Sequence, residues 1–212
     1  MCCRDEGIYR ENKRTIAKYF IVLLSSKIII VSGVSGSGKT TLVNYLLNKK
    51  EFNLEFSISA CSRAQRPSEV HGKDYLFLSN LEFKNKIDCG EFLEWEEVYV
   101  NHFYGTLKSS AELILKSGKN ILFDVDVKGA LSIKKYFKKN ALTIYIQPPS
   151  IEVATKRLIE RETESKQDLN YRINKMQKEM KFGNEMDCMV INDDLELAQS
   201  TIYNYVKDFL TK

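Results

Sequence analysis

The sequence predicts an α/β fold in which one parallel sheet is covered by helices on both faces and is interrupted by a smaller, mainly antiparallel inserted unit. Three observations predict it. An apolar run at residues 27–32 (KIIIVS) flows into a glycine-rich turn and then an amphipathic helix. From about residue 107 onward, short apolar strands alternate with helix-period segments, the pattern of βα units on a parallel sheet. Between about 57 and 106 that alternation stops and strand-like pieces follow one another.

Each element has its own signal. After the first run, Leu42, Val43, Leu46 and Leu47 fall on one helix face. In the insertion, 56–61 (FSISAC), 74–78 (DYLFL) and 92–100 (FLEWEEVYV) read as strands, and a capping box of Ser79 and Glu82 opens one short helix. A helix near 107–117 is stopped by Gly118 and followed by a strand at 120–125, a helix near 128–139 and a strand at 142–147. Next come a helix at 151–160, the charged segment 161–168 (RETESKQD), a helix near 169–182, a strand at 188–191 and a last helix from Leu195. The charged segment is expected to belong to a helical lid over about 152–175.

The composition, 43% hydrophobic and 28% charged with 3 Pro and 10 Gly in 212 residues, is that of one ordinary globular domain with small insertions. Its 32 basic and 28 acidic side chains are scattered along the chain, which argues against a nucleic-acid binder. The five cysteines (Cys2, Cys3, Cys61, Cys89, Cys188) form no C-x-x-C pair, so a reduced, cytoplasmic setting is expected. Residues 1–26 read as an extension of unknown role before a domain at 27–212. The apolar run Tyr19 to Leu24, preceded by Arg14 and Lys18, has the look of a signal-peptide core but is far short of the roughly 20 residues a membrane span needs. No membrane partner is expected.

The strongest chemical signal is Gly33, Val34, Ser35, Gly36, Ser37, Gly38, Lys39 and Thr40, which match G-x-x-x-x-G-K-[ST] between a strand and a helix. Such a P-loop curls its backbone N–H groups around phosphate, its lysine reaches the β and γ phosphates, and its hydroxyl ligates Mg²⁺. ATP with Mg²⁺ is therefore expected. Downstream, Arg63 and Arg66 are followed by Tyr75, groups able to converge on one phosphate. Isolated surface arginines are usually only solvated; a phosphoryl-transfer enzyme, however, needs a second anion site for its acceptor.

From these motifs onward the chain resembles the guanylate kinase family. The family's S-x-S-x-T-T-R-x-P-R-P-G-E-x-x-G-x-x-Y stretch is matched without a gap at 57–75, and E-F-L-E-W at 91–95. N-x-x-Y-G-T is matched at 101–106, D-I-D-x-Q-G closely at 124–129, P-P-S at 148–150 and V-x-N-D-D at 190–194. The lid arginines correspond to Arg157, Arg161 and Arg172. The resemblance implies transfer of the γ-phosphoryl group of ATP to GMP, and to dGMP as a weaker acceptor, by a monomer or homodimer. Ser59, Arg63, Arg66, Tyr75 and Tyr104 would hold the GMP phosphate, while Glu94, Thr106 and Asp126 would face the base. A carboxylate at Glu94 can accept the adjacent N1–H and N2–H₂ donors of guanine, and adenine offers no N1–H; the Thr106 hydroxyl can donate to O6. Lys39, Arg161 and Arg172 would stabilise the migrating phosphoryl group. Asp124 would orient Mg²⁺, directly or through water, together with Thr40, and Asn192 would contact adenine.

The chain departs from the family pattern at several loop positions. Val34 replaces a usual Pro, Cys61 a Thr, Gln65 a Pro, Ser68 a Gly, Lys128 a Gln and Glu162 a Gly; between Glu94 and Tyr104 the chain is one residue longer. Two other readings compete: a catalytically weak binding module of the same family, and a P-loop kinase for another monophosphate. The intact P-loop and three lid arginines argue against the first, Glu94 and Thr106 against the second.

Overall fold

Strand β1 (Ile28–Gly33) is the spine of the core, with Ile28 to Val31 at most 1% exposed. Its side chains alternate between two apolar clusters, Ile28 and Ile30 on one face and Ile29 and Val31 on the other, because successive strand residues point to opposite faces. Only a strand buried on both faces reads as an unbroken apolar run. The computed structural model describes residues 26–160, 173, 176 and 179–212.

Five parallel strands form the main sheet in the order β2 (Leu54–Phe56), β7 (Asn120–Asp124), β1, β8 (Ala141–Gln147) and β9 (Cys188–Ile191). Helices α1 (Lys39–Leu47) and α6 (Leu195–Leu210) cover one face, supplying Leu42, Val43, Leu46, Ala198, Ile202 and Val206. Helices α3 (Lys108–Lys116) and α4 (Val127–Phe137) cover the other with Ala111, Ile114, Leu115, Ala130 and Ile133, joined by Ala154 from α5 (Ile151–Ile159). This is the helix-covered parallel sheet the alternation predicts.

A second sheet of four strands holds β4 (Leu76–Phe77), β3 (Ala60–Cys61), β6 (His102–Leu107) and β5 (Phe92–Tyr99) in that order, with helix α2 (Asn80–Asp88) beside it. Its own small core stacks Phe83 on Phe92 and Phe103. Pairings β3–β6 and β5–β6 are antiparallel, β3–β4 parallel. One expectation needs correction. The run 56–61 is not one strand of the insertion: Phe56 ends β2 in the main sheet, Ala60 and Cys61 belong to the small one, and the residues between cross from one to the other. Local pattern cannot tell which sheet a short apolar run joins. The capping box forms as read, with Ser79 accepting from the Glu82 N–H and Glu82 from that of Ser79. Of the expected lid, residues 161–172, 174 and 175 lie outside the described residues.

Candidate active site

At the carboxyl ends of the main strands, where ligands of open α/β sheets bind, the P-loop joins β1 to α1. No side chain caps α1, and its first turn carries no acidic residue. Helices α2, α4, α5 and α6 instead begin with side-chain caps from Ser79, Asp126, Ser150 and Asp194. Helix α3 is likewise uncapped, but α1 alone follows the glycine-rich loop, and the N–H groups of Lys39 and Thr40, with the helix dipole, are left for an anion while that of Thr41 donates to the Gly38 carbonyl. Gly36 and Gly38 have φ of 77° and 84°, the left-handed region that glycine tolerates. Both are also wedged tightly, since a Cβ on Gly36 would lie 2.2 Å from the Ala154 carbonyl oxygen and one on Gly38 2.1 Å from Asn192 Nδ2.

Asn192, on the other side of that contact, is held firmly. Its side chain is buried, and Nδ2 donates to the Ser37 carbonyl at 2.7 Å, while Arg157 Nη1 donates to the Asn192 carbonyl at 3.2 Å. The amide expected to meet adenine thus also braces the P-loop backbone. A turn residue's sequence position cannot reveal that partner 155 residues away.

Register brings the P-loop lysine to an acid. Val31 of β1 lies beside Asp124 at the end of β7, and Lys39 Nζ donates to Asp124 Oδ1. Thr40, next along the helix, is exposed. A hydroxyl and a carboxylate are hard oxygen donors of the type Mg²⁺ takes alongside substrate phosphates, so these two residues fit that ion.

Between the two sheets lies a cleft of about 180 Å³ lined by Ser59, Tyr75, Glu94, Tyr104, Asp124 and Asp126, with Glu96. Six residues singled out from the sequence therefore meet in one space, contributed by both sheets. The antiparallel register pairs Glu94 with Thr106 and Glu96 with Tyr104, and a bulge between Glu97 and Tyr99 absorbs a residue without turning these side chains over. Thr106 is fully buried, and its hydroxyl donates to Glu94 Oε1 at 2.6 Å. A hydroxyl has one proton to give, so in the ligand-free structure Thr106, expected to face the base, holds the Glu94 carboxylate.

Asp126 accepts the Gly129 N–H at 2.8 Å as the cap of α4. Gly129, to which the sequence attaches no role, leaves little room for a side chain: a Cβ on it would sit 3.0 Å from Glu94 Oε2 and 3.2 Å from Asp126 Oδ1, tight enough to press on both carboxylates. Its only sequence signal was its place in the D-x-D-x-x-G spacing.

Burial, aided by the nearby Asp126 charge and opposed by the Thr106 bond, raises the Glu94 carboxyl from its ordinary value near 4.5 to about 7. The folded state thus holds this proton more tightly than the unfolded chain does. The stabilisation linked to it is complete below about 4.5 and is lost as pH rises through about 7. Urea denaturation of the ligand-free protein at pH 5 and pH 8 should therefore show a loss at the higher pH that Glu94→Gln abolishes; an unchanged loss in the variant would place its origin elsewhere.

Beside Tyr104, Arg63 is gripped on several sides. Its Nη1 and Nη2 donate to Glu69 Oε2 and Oε1 at 2.7 and 2.5 Å, and Nε donates to the Tyr104 hydroxyl at 3.1 Å. The Tyr75 ring lies 5.1 Å from the guanidinium carbon. Neither arginine lines the cleft itself; Arg63 reaches it through Tyr104, and Arg66, expected beside it, is exposed, its backbone N–H donating to Glu69 Oε2 at 2.9 Å. Glu69 carried no role in the sequence reading, although its spacing of six from Arg63 was visible. Arg161 and Arg172 lie outside the described residues.

A P-loop on a five-stranded parallel sheet, facing across a cleft a small second sheet lined with tyrosines and carboxylates, defines the class of P-loop nucleoside monophosphate kinases. The guanylate kinase family model matches residues 25–211. Over 185 residues the chain is 49% identical to a guanylate kinase of Bacteroides fragilis, covering 87% of this chain and 90% of that protein. It is 48% identical over 187 residues to one of Porphyromonas gingivalis, covering 88% and 100%. The crystal structure of guanylate kinase from Anaplasma phagocytophilum superposes with a TM-score of 0.70 at 28% identity, covering 89% of this chain and 88% of that one. The chain belongs to the guanylate kinase family. No helix among the described residues is long and apolar enough to cross a membrane.

Proposed function

We propose that this chain is an ATP:GMP phosphotransferase that moves the γ-phosphoryl group of ATP onto GMP, giving ADP and GDP, with dGMP as a weaker acceptor. The observation that carries the reading is the shared position of Asp124, which lines the acceptor cleft and pairs with the P-loop Lys39. Donor and acceptor sites therefore open onto each other, as direct in-line transfer requires.

The uncapped start of α1 and the P-loop N–H groups take the ATP phosphates, and Lys39 exchanges Asp124 for the β and γ oxygens. Thr40 and Asp124 would hold Mg²⁺, which would supply charge neutralisation on the phosphates. In the cleft, Ser59, Arg63, Tyr75 and Tyr104 hold the GMP phosphate, with Arg66 swinging in from the surface. Glu94 as a carboxylate accepts guanine N1–H and N2–H₂, Thr106 steadies it, and Asp126 completes the polar wall. Arg161 and Arg172, in the expected lid, add positive charge around the transferring group and exclude water.

ADP release from MgATP, with GMP, AMP, CMP and UMP compared in parallel, tests the reading. Turnover is expected with GMP and to fall by about 10⁴-fold with AMP, since the acceptor pair of Glu94 then faces no matching donors. Equal turnover with another monophosphate would overturn the base assignment, and tight GMP binding without turnover would overturn the enzymatic one.

A further inference from the structure

We propose that Glu69 is a positioning residue for the acceptor's phosphate, acting through Arg63; this rests on the ATP:GMP reading above. A guanidinium has five N–H donors in one rigid plane. Glu69 takes one from each terminal nitrogen, the Ala64 carbonyl takes the second Nη1 proton at 2.9 Å, and Tyr104 takes Nε–H. One Nη2 proton has no partner among the described residues. In the planar group it points along the same edge as Nε–H, where the Tyr104 hydroxyl sits. Since Tyr104 accepts from Nε, its own proton is left to donate. Nη2–H and Tyr104 O–H thus form a two-donor edge beside the cleft, suited to two oxygens of one phosphate. Seen this way, Arg63 offers the phosphate a single aimed proton rather than a fork, and Glu69 does the aiming.

Glu69 is itself well held. Its N–H donates to the Arg66 carbonyl at 3.0 Å, its Oε2 accepts the Arg66 N–H, and the Gln65 amide donates to its carbonyl. The segment from Arg63 to Glu69 therefore closes on one carboxylate. Hydrogen bonding to Arg63 holds that carboxyl down at about 2, so it stays charged wherever the enzyme would work. Without it the guanidinium would keep only its bonds to the Tyr104 hydroxyl and the Ala64 carbonyl and the Tyr75 and Phe77 rings, 5.1 and 5.5 Å away, and nothing would hold its outer edge, so the direction of the free Nη2–H would be lost.

Coulomb attraction and positioning predict opposite signs. Glu69→Gln removes a negative charge beside a phosphate site, so charge alone would tighten GMP binding, whereas loss of aim weakens it. The experiment is steady-state kinetics of the full chain with GMP varied at saturating MgATP, plus guanosine, which lacks the phosphate, as a competitive inhibitor. Wild type, Glu69→Gln, Arg63→Ala and the double variant are compared. We expect KM for GMP to rise about 10- to 100-fold in Glu69→Gln, the scale of a lost charge-assisted pair. kcat should stay within about threefold, the guanosine inhibition constant should not change, and the double variant should be no worse than Arg63→Ala, as for residues acting through one contact. An unchanged or lower KM, a parallel rise for guanosine, or additive effects would overturn the proposal. Should Glu69→Gln fail to fold by circular dichroism, Glu69→Asp, which keeps the charge at shorter reach, is read by the same criteria with a smaller rise in KM. Wild type without GMP turnover would instead bring down the ATP:GMP reading itself.

Discussion

Lys39→Ala is expected to lower kcat by about 10³-fold while the protein stays folded, the usual scale for removing one preorganised electrostatic group from a phosphoryl-transfer site. The variant loses the cation that would follow the γ-phosphoryl group, and it also leaves Asp124 without the partner it has in the structure. The first loss raises the barrier to transfer; the second acts on the ligand-free state, because an unpaired carboxylate there repels incoming phosphate and weakens MgATP binding. The measurement is kcat with saturating GMP and MgATP, with a thermal melt to establish folding. Lys39 and Asp124 are each only about one-fifth exposed at the side chain, so the melt should shift downward while staying a single cooperative transition, the cost of leaving one member of a largely buried pair alone. A kcat within about tenfold of wild type would mean that Lys39 serves to hold Asp124 and that the transferring group is stabilised elsewhere.

Glu94→Gln should cost about 10³-fold in kcat/KM for GMP and abolish discrimination against IMP, which lacks the 2-amino group. The carboxylate presents two acceptors; the amide presents one and turns a donor toward a donor on the base. Thr106 cannot compensate, because its only proton already goes to this side chain. The same substitution should not destabilise the ligand-free protein at pH 8, since it removes a carboxylate whose ionisation burial disfavours. In wild type, KM for GMP should fall as pH rises through about 7, the value to which burial lifts Glu94, because guanine needs the ionised form. In the variant that dependence should vanish. A variant retaining both GMP preference and pH dependence would remove Glu94 from base recognition.

The sequence alone determined the elements whose signals are local. Residues 27–40 carry their whole argument in fourteen positions, an apolar strand, a glycine-rich turn and a lysine at a helix start, because a P-loop is made from one stretch of backbone. The capping box at Ser79 and Glu82, the two-face burial of β1 and the alternation of strand and helix are legible for the same reason: period and spacing act over a few residues. Residue types in the acceptor segment were legible too, through their resemblance to a family.

Only the tertiary structure decided what those residues do to one another. Asn192 reaches Ser37, Asp124 reaches Lys39, and Thr106 spends its proton on Glu94; none of these partnerships has a sequence period. Gly129 matters because two carboxylates from different elements converge on the space a methyl group would fill. Glu69 needs the turn at Arg66 and the Tyr104 hydroxyl of another strand before its carboxylate has anything to aim. Hydrogen-bond direction and close packing depend on which surfaces the folded chain brings together, and a linear sequence records which groups are available without recording where they point.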